Sequence, residues 1–325
     1  MNYYEMSGGD DETTTAAARK MCCASCGIAE LDDIALTKCD GCDLTRYCSD
    51  ECKDDHRPEH EATCKERAAE LRDEALFKQP EGSHHGDCPI CCLPLPINPN
   101  YKNRLQSCCC KVICNGCSHA DNTHQWEEKG QQPTCPFCRH PVPKTQGEAY
   151  KNLMKRVEAN DPAAMREMGY RNSNEGDYEG AFKYLTKAAE LGDAHAHYEL
   201  SIMYLNGDGV EKDEKKETYH LEEAAIRGHA SARQHLACCE ENNGRIDRAV
   251  KHFIIAANLG HDRSIQDLKE CYKGGKISKN DFAAALRAHH AAVNETKSPQ
   301  REAAARAEHW WDPRLSDTTG IKQRE

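Results

Sequence analysis

No stretch of this chain is apolar for long enough to span a bilayer. Its start, MNYYEMSGGDDETTTAAARK, has no apolar core of the kind a signal peptide needs. We expect a soluble, intracellular protein, cytoplasmic or nuclear, with no membrane partner. Hydrophobic residues make up only 38% of the 325 residues, and mean hydropathy is −0.85. Both argue against one large apolar core and for several small modules or a thin repeat array. Positive charge is in deficit, with 43 Lys and Arg against 54 Asp and Glu, a net −11. That disfavours sequence-independent binding to nucleic acid or anionic lipid. A nucleotide-binding loop and a catalytic triad are also missing.

Cysteine is what the chain has in abundance. Of 21 cysteines, 18 lie between Cys22 and Cys138. In a reducing compartment such clustering points to metal ligation rather than disulfides.

The first cluster reads CCASCGIAELDDIALTKCDGCDLTRYCSDECKDDHRPEHEATC, residues 22–64. Its ligand-like pairs are Cys23/Cys26, Cys39/Cys42, Cys48/Cys52 and His60/Cys64, eight N/S donors and enough for two tetrahedral zinc ions. Gly27 and Gly41 supply permissive backbone for the first two knuckles. The last two pairs are spaced i, i+4, suited to one face of a helical turn. Cys22 in place of Cys23, and His56 in place of His60, are weaker alternatives. The spacing and the Tyr47-Cys48 step resemble the MYND-type zinc finger. The resemblance implies interleaved pairing, with Cys23, Cys26, Cys48 and Cys52 on one zinc and Cys39, Cys42, His60 and Cys64 on the other. It also implies a protein-interaction module that takes short proline-containing peptides. A methyltransferase domain, found beside this finger in some relatives, has no counterpart in the sequence. Asp32, Asp33, Asp40, Asp43, Asp50, Asp54 and Asp55 within the cluster argue against binding DNA. KERAAELRDEALFKQ then reads as a short helix, and PEGSHHG as a flexible joint with His84 and His85 exposed to solvent, a metal role for either being the weaker alternative.

The second cluster runs from Cys88 to Arg139, opening with CPIC and closing with CPFCR. Three pairs are plain: Cys88/Cys91, Cys114/Cys117 and Cys135/Cys138. The fourth comes from the triplet Cys108-Cys109-Cys110. Cys108 with Cys109 is the first reading; Cys108 with Cys110 is the second. This cluster resembles a RING finger, though most RING fingers carry a central histidine and this one offers thiols. His119 and His124 fall outside the usual order. The resemblance implies Cys88, Cys91, Cys114 and Cys117 on one zinc, and Cys135 and Cys138 with two of the triplet on another. It also implies a ubiquitin ligase contact surface. Ile90 would pack on the conjugating enzyme, Pro136 would shape the last knuckle, Arg139 would clamp enzyme and ubiquitin, and Trp126 matches an aromatic contact more loosely. Taken alone, Ile90 is also a core filler, Pro136 a turn residue and Arg139 a surface charge.

Beyond residue 148 a period near 34 residues emerges. YLTKAAELGDAHAHYEL, HLEEAAIRGHASARQHL and HFIIAANLGHDRSIQDL start at Tyr184, His220 and His252. Each reads as two helices, with Gly192, Gly228 and Gly260 at a helix stop and paired alanines allowing close contact. The order MYLNGDGVEKD then AAIRG resembles Sel-one-like repeats, relatives of the tetratricopeptide repeat. Stacked units imply a concave protein-binding face. Tyr184, Tyr198, Tyr204, His220 and His252 either line that groove or pack between helices. Cys238, Cys239 and Cys271 read as small buried helix residues.

The expected architecture is multidomain: two small zinc-stabilised cross-brace domains followed by an all-α helical-repeat solenoid. The expected boundaries are a disordered tail at 1–20, a MYND-like finger at 21–64, a helical linker at 65–85, a RING-like finger at 86–141, repeats at 148–296 and a polar tail at 297–325. Trp310-Trp311 in that tail reads as a docking pair or a cap on the last repeat. About four zinc ions are expected. The leading expectation is a RING-type ubiquitin ligase. Its partners would be a ubiquitin-conjugating enzyme, ubiquitin, and substrate proteins or peptides, with no nucleic acid. A non-enzymatic adaptor built from the same modules is the alternative.

Overall fold

The computed structural model describes residues 22–28, 30, 35–97, 103–125 and 133–307. The N-terminal tail, Trp126 and Trp310-Trp311 lie outside the described residues. The chain divides into two units, Met1–Ala75 and Leu76–Glu325.

The first unit carries a two-residue antiparallel ribbon, β1 (Thr37–Lys38) with β2 (Arg46–Tyr47), in the register Thr37 to Tyr47. Its core is small: Cys23, Leu36, Cys39, Cys42 and Tyr47. Helix α1 (Asp50–Phe77) then runs for 28 residues. The sequence reading placed a separate short helix after the finger. Instead one helix holds Cys52, His60, Cys64 and that segment, passing through Pro58. Its exposed faces carry charge pairs at helical spacing, such as Arg57 to Asp54 at 2.6 Å and Arg67 to Glu70 at 2.9 Å. Individually weak, they add up along a helix that is polar almost all round.

In the second unit, β3 (Asn103–Leu105) pairs antiparallel with β4 (Val112–Cys114), which leads directly into α2 (Asn115–Thr123). Nine further helices, among the described residues, form the repeat array and its extensions. They are α3 (Gln146–Glu158), α4 (Pro162–Glu175), α5 (Tyr178–Glu190), α6 (Ala194–Asn206), α7 (Glu214–Ile226), α8 (Ala230–Asn242), α9 (Ile246–Asn258), α10 (Asp262–Lys273) and α11 (Lys279–Glu295). Sequence punctuation explains their ends. Gly192, Gly228 and Gly260 have φ of 87°, 83° and 89°, the left-handed conformation that glycine takes without steric cost. The residues just after them, Asp193, His229 and His261, donate back to Ala188, Ala224 and Ala256, closing each helix in the same way. Asp161, Asp177, Asp193 and Asp213 cap the helices that follow. Ala188, Ala224, Ala225, Ala256 and Ala257 are buried at the helix contacts.

The aromatic positions pack between helices. Tyr204 stacks on His220 at 5.6 Å between centroids, Tyr198 stacks on His229 at 4.4 Å, and His252 is buried. Cys271 is buried, and Cys238 and Cys239 are partly so.

The stretch read as a flexible joint is seated on the repeats. Leu76 is buried against Leu221, Ala224, Ala225, Ala232 and Leu236. Arg233, fully buried, donates to the carbonyls of Leu76 and, at 3.1 Å, of Ala225. The His84 amide donates to the Gly228 carbonyl at 3.1 Å. His84 and His85 are consequently half-buried, and the expectation of solvent exposure fails because Gly228 lets the backbone of 82–84 come close. At the other end, α12 (Pro299–Arg306), inside the stretch read as a polar tail, packs on α2. A Cβ at Gly116 would meet the Arg301 amide at 2.6 Å.

Candidate metal centres

Among the described residues, four cysteine-containing groups bring ligand atoms within 4.8 Å of one another: Cys23, Cys26, Cys48, Cys52; Cys39, Cys42, His60, Cys64; Cys88, Cys91, Cys114, Cys117; and Cys108, Cys109, Cys135, Cys138. In each group two pairs distant in sequence meet, which gives the crossed pattern. Sulfur–sulfur distances include 3.6 Å for Cys39 to Cys64, 3.6 Å for Cys48 to Cys52, and 3.9 Å for Cys91 to Cys114 and for Cys109 to Cys135. Four sulfurs placed tetrahedrally around zinc at about 2.3 Å lie about 3.8 Å apart, so the donor sets fit that ion. His60 Nε2 stands 3.2 Å from Cys42 Sγ, completing the mixed set.

The knuckles repeat one local device. In four of the five Cys-x2-Cys pairs the residue after the pair returns its amide to the carbonyl of the first cysteine: Gly27 to Cys23, Asp43 to Cys39, Cys92 to Cys88 and Arg139 to Cys135; the fifth, Cys114/Cys117, runs straight into α2. All four have positive φ. Gly41 serves differently, since a Cβ there would lie 2.9 Å from Cys64 Sγ.

Burial opposes ionisation at Cys23, yet the backbone amides of Cys26, Cys48 and Ser25 outweigh it and lower the thiol to about 6. At Cys39, burial is likewise overcome, first by the Gly41 amide, and the thiol falls to about 6. Cys88 follows the same logic and falls to about 7. Neighbours in the same groups move the other way. Hydrogen bonding to Cys26 and Cys52 pushes Cys48 up to about 12, and burial pushes Cys64 and Cys109 up to about 11. Close thiols resist ionising together, and a bound cation removes that conflict.

Cys110 has no place in the fourth group. It sits at φ 52°, with its amide on the Gln106 carbonyl at 2.7 Å, and is buried among Leu153, Ala164 and Met168. Cys22 and Cys92 lie outside the four groups, as do His119 and His124. His56 bonds the Tyr47 hydroxyl at 3.1 Å through Nδ1 and stacks on His60.

Of the expected contact residues, Ile90 is 43% exposed between Cys88 and Cys91, and Pro136 is half-buried in the last knuckle. Arg139 is exposed and pairs with Asp121 at 3.2 Å. Sequence reasoning missed Arg301, which is buried and donates to the Pro94 and Leu93 carbonyls and, at 3.5 Å, to Cys91 Sγ. The signal was present: Ser298-Pro299 opens a helix, and Ser298 caps it.

Residues 23–64 match the family described as MYND finger, and residues 162–193, 194–229 and 242–261 match the Sel1 repeat. The chain carries a MYND finger and Sel1 repeats. Residues 86–141 lie outside both matched regions. Over 86 residues the chain is 31% identical to chitin synthase regulatory factor 4 of Schizosaccharomyces pombe, covering 26% of this chain and 14% of that protein. Over 175 residues it is 24% identical to DAP3-binding cell death enhancer 1 of Mus musculus, covering 42% and 34%. The chain thus spans a minor part of the length of these curated relatives. Among solved structures, a Sel1 repeat protein from Oxalobacter formigenes aligns with TM-score 0.41 and 25% identity, over 53% of this chain and 70% of that one. The MYND finger and the clustered thiols together suit zinc. No helix among the described residues is long and apolar enough to cross a membrane.

Proposed function

We propose that this protein is a multi-module interaction adaptor whose second cysteine module works as a RING finger and recruits a ubiquitin-loaded conjugating enzyme. The MYND finger and the Sel1 repeats hold substrate proteins or peptides. The observation that carries this reading is the exposure of Ile90 and Arg139 on two crossed thiol groups, one at each knuckle. Each zinc is closed by four protein ligands, leaving no vacant position for hydrolysis, so the contribution is positional. Ile90 offers an apolar contact and Arg139 a cation for charge-assisted bonds. About four zinc ions serve the four groups.

The test is discharge of ubiquitin from a panel of loaded conjugating enzymes, with wild type, Ile90→Ala and Arg139→Ala. We expect accelerated discharge by wild type with at least one enzyme, and a loss of tenfold or more in each variant. No acceleration with any enzyme, or full activity in both variants, contradicts the ligase reading.

A second reading, adaptor without ligase activity, is favoured by the Arg139–Asp121 ion pair, which engages the cation internally. It predicts stable partner complexes and no discharge.

A further inference from the structure

His84, His195 and His229 come from three separate places: the connection after α1, the second position of α6 and the cap of α8. Their ring nitrogens converge. His195 Nδ1 lies 3.3 Å from His84 Nε2 and 3.1 Å from His229 Nε2, and the three ligand atoms fall within 4.8 Å of one another. Nitrogens held tetrahedrally by an ion at about 2.0 Å would be about 3.3 Å apart.

Protons alone do not satisfy this group. His229 Nδ1 accepts the Ala232 amide at 3.1 Å, so Nε2 carries the ring proton and points it at His195 Nδ1. His195 then keeps its own proton on Nε2, which faces Glu199 at 3.5 Å. The single lone pair on His195 Nδ1 is therefore taken. His84 Nε2 faces that occupied position, and His84 Nδ1 is buried without a hydrogen bond. Burial, reinforced by the neighbouring histidines, holds His84 and His229 neutral, which is the form that binds metal.

We propose that His84, His195 and His229 form a further metal site, distinct from the cysteine groups, that takes one zinc ion and pins the segment after α1 to the Sel1 repeats. His84 Nε2 and His195 Nδ1 offer their lone pairs directly. His229 joins by moving its proton from Nε2 to Nδ1, which gives up the cap bond from Ala232; no proton is released. Glu199 Oε1 lies 3.5 Å from His195 Nε2 and is itself held by the Tyr170 hydroxyl at 3.1 Å, which places a carboxylate behind the imidazole as in metal sites where such a partner orients the ring. A cleft lined by His84, His195, Asp193, Arg166 and Arg227 opens beside two of the three rings and gives them access to solvent. Three imidazoles and no thiolate or carboxylate favour zinc, copper or nickel over calcium and magnesium. They also bind more weakly than the thiolate groups, which separates the two kinds of site in an experiment.

The test uses the full chain, zinc-loaded, with zinc release followed against a chromophoric zinc indicator and total zinc measured by elemental analysis. Wild type should release one equivalent readily, ahead of the cysteine-bound ions. His84→Ala and His195→Ala should each lack that equivalent while keeping the slow-release zinc and the helical circular dichroism. Glu199→Gln should weaken the readily released ion by about tenfold. If wild type and the His84→Ala variant, whose altered side chain lies outside the repeat helices, bind the same zinc with the same release profile, the proposal is overturned. The readout is independent of ubiquitin transfer.

Discussion

Cys108, Cys109 and Cys110 part company through the backbone. The left-handed turn at Cys110 sends its side chain into the contact with α3 and α4, while the preceding two thiols face Cys135 and Cys138. Burial, with Asp161 adding to it, pushes the Cys110 thiol up to about 12, so it stays protonated at neutral pH. We expect Cys109→Ser to lose about one zinc per chain by elemental analysis. Cys110→Ser should keep the full zinc content and lower stability by about 1–3 kcal/mol in denaturant melts, the cost of burying a hydroxyl among Leu153, Ala164 and Met168. The ligand pairs were legible because closing a knuckle requires two residues between thiols, a constraint written into spacing. The fate of Cys110 was not, since it depends on Leu153 and Met168, some 40 to 60 positions downstream. The helix that carries Arg301 was signalled by Ser298-Pro299, but its contacts were hidden for the same reason: its partners at Leu93 and Pro94 are about 200 residues away.

Among the elements, the repeat helices declare their ends. Gly192 and Gly228 share nearly the same φ but not the same surroundings. A Cβ at Gly192 meets nothing within 4 Å, whereas one at Gly228 would lie 2.5 Å from the Gly82 carbonyl. Gly192→Ala should cost about 1–3 kcal/mol from backbone conformation alone. Gly228→Ala should cost more in thermal melts and should also raise amide exchange at His84. Equal costs would remove the docking of 82–84 from this account. Helix α1 shows the opposite case. Its continuity from finger into linker was not legible, because the ligand spacing that defines the finger ends at Cys64 and the helix-favouring composition begins only after it.

The repeats should also respond to acid. Burial holds His220 and His261 neutral, lowering each to about 4. A histidine whose folded value is depressed binds its proton more readily when unfolded. Stability is therefore full above the unfolded value of about 6.5 and is lost as pH falls from there toward 4. The melting temperature of the repeats should drop across that window, and His220→Asn should flatten the slope.

At the scale of the whole molecule, two modules that read as separate in sequence, the second cysteine module and the helical repeats, share the unit Leu76–Glu325. The second cysteine module lies against α3 and α4 through Leu105 and Cys110, and against α12 through Gly116 and Arg301. The Sel1 repeats and the exposed Ile90 and Arg139 therefore belong to one unit. Under the proposed ligase reading, that unit would hold a substrate at a set distance from a loaded enzyme. The measurement that bears most directly on this account is ubiquitin discharge from a loaded conjugating enzyme by the zinc-replete full chain. The account predicts faster discharge with wild type, and a loss of tenfold or more with Ile90→Ala or Arg139→Ala at unchanged zinc content. Discharge no faster than the enzyme alone across the whole panel would contradict it.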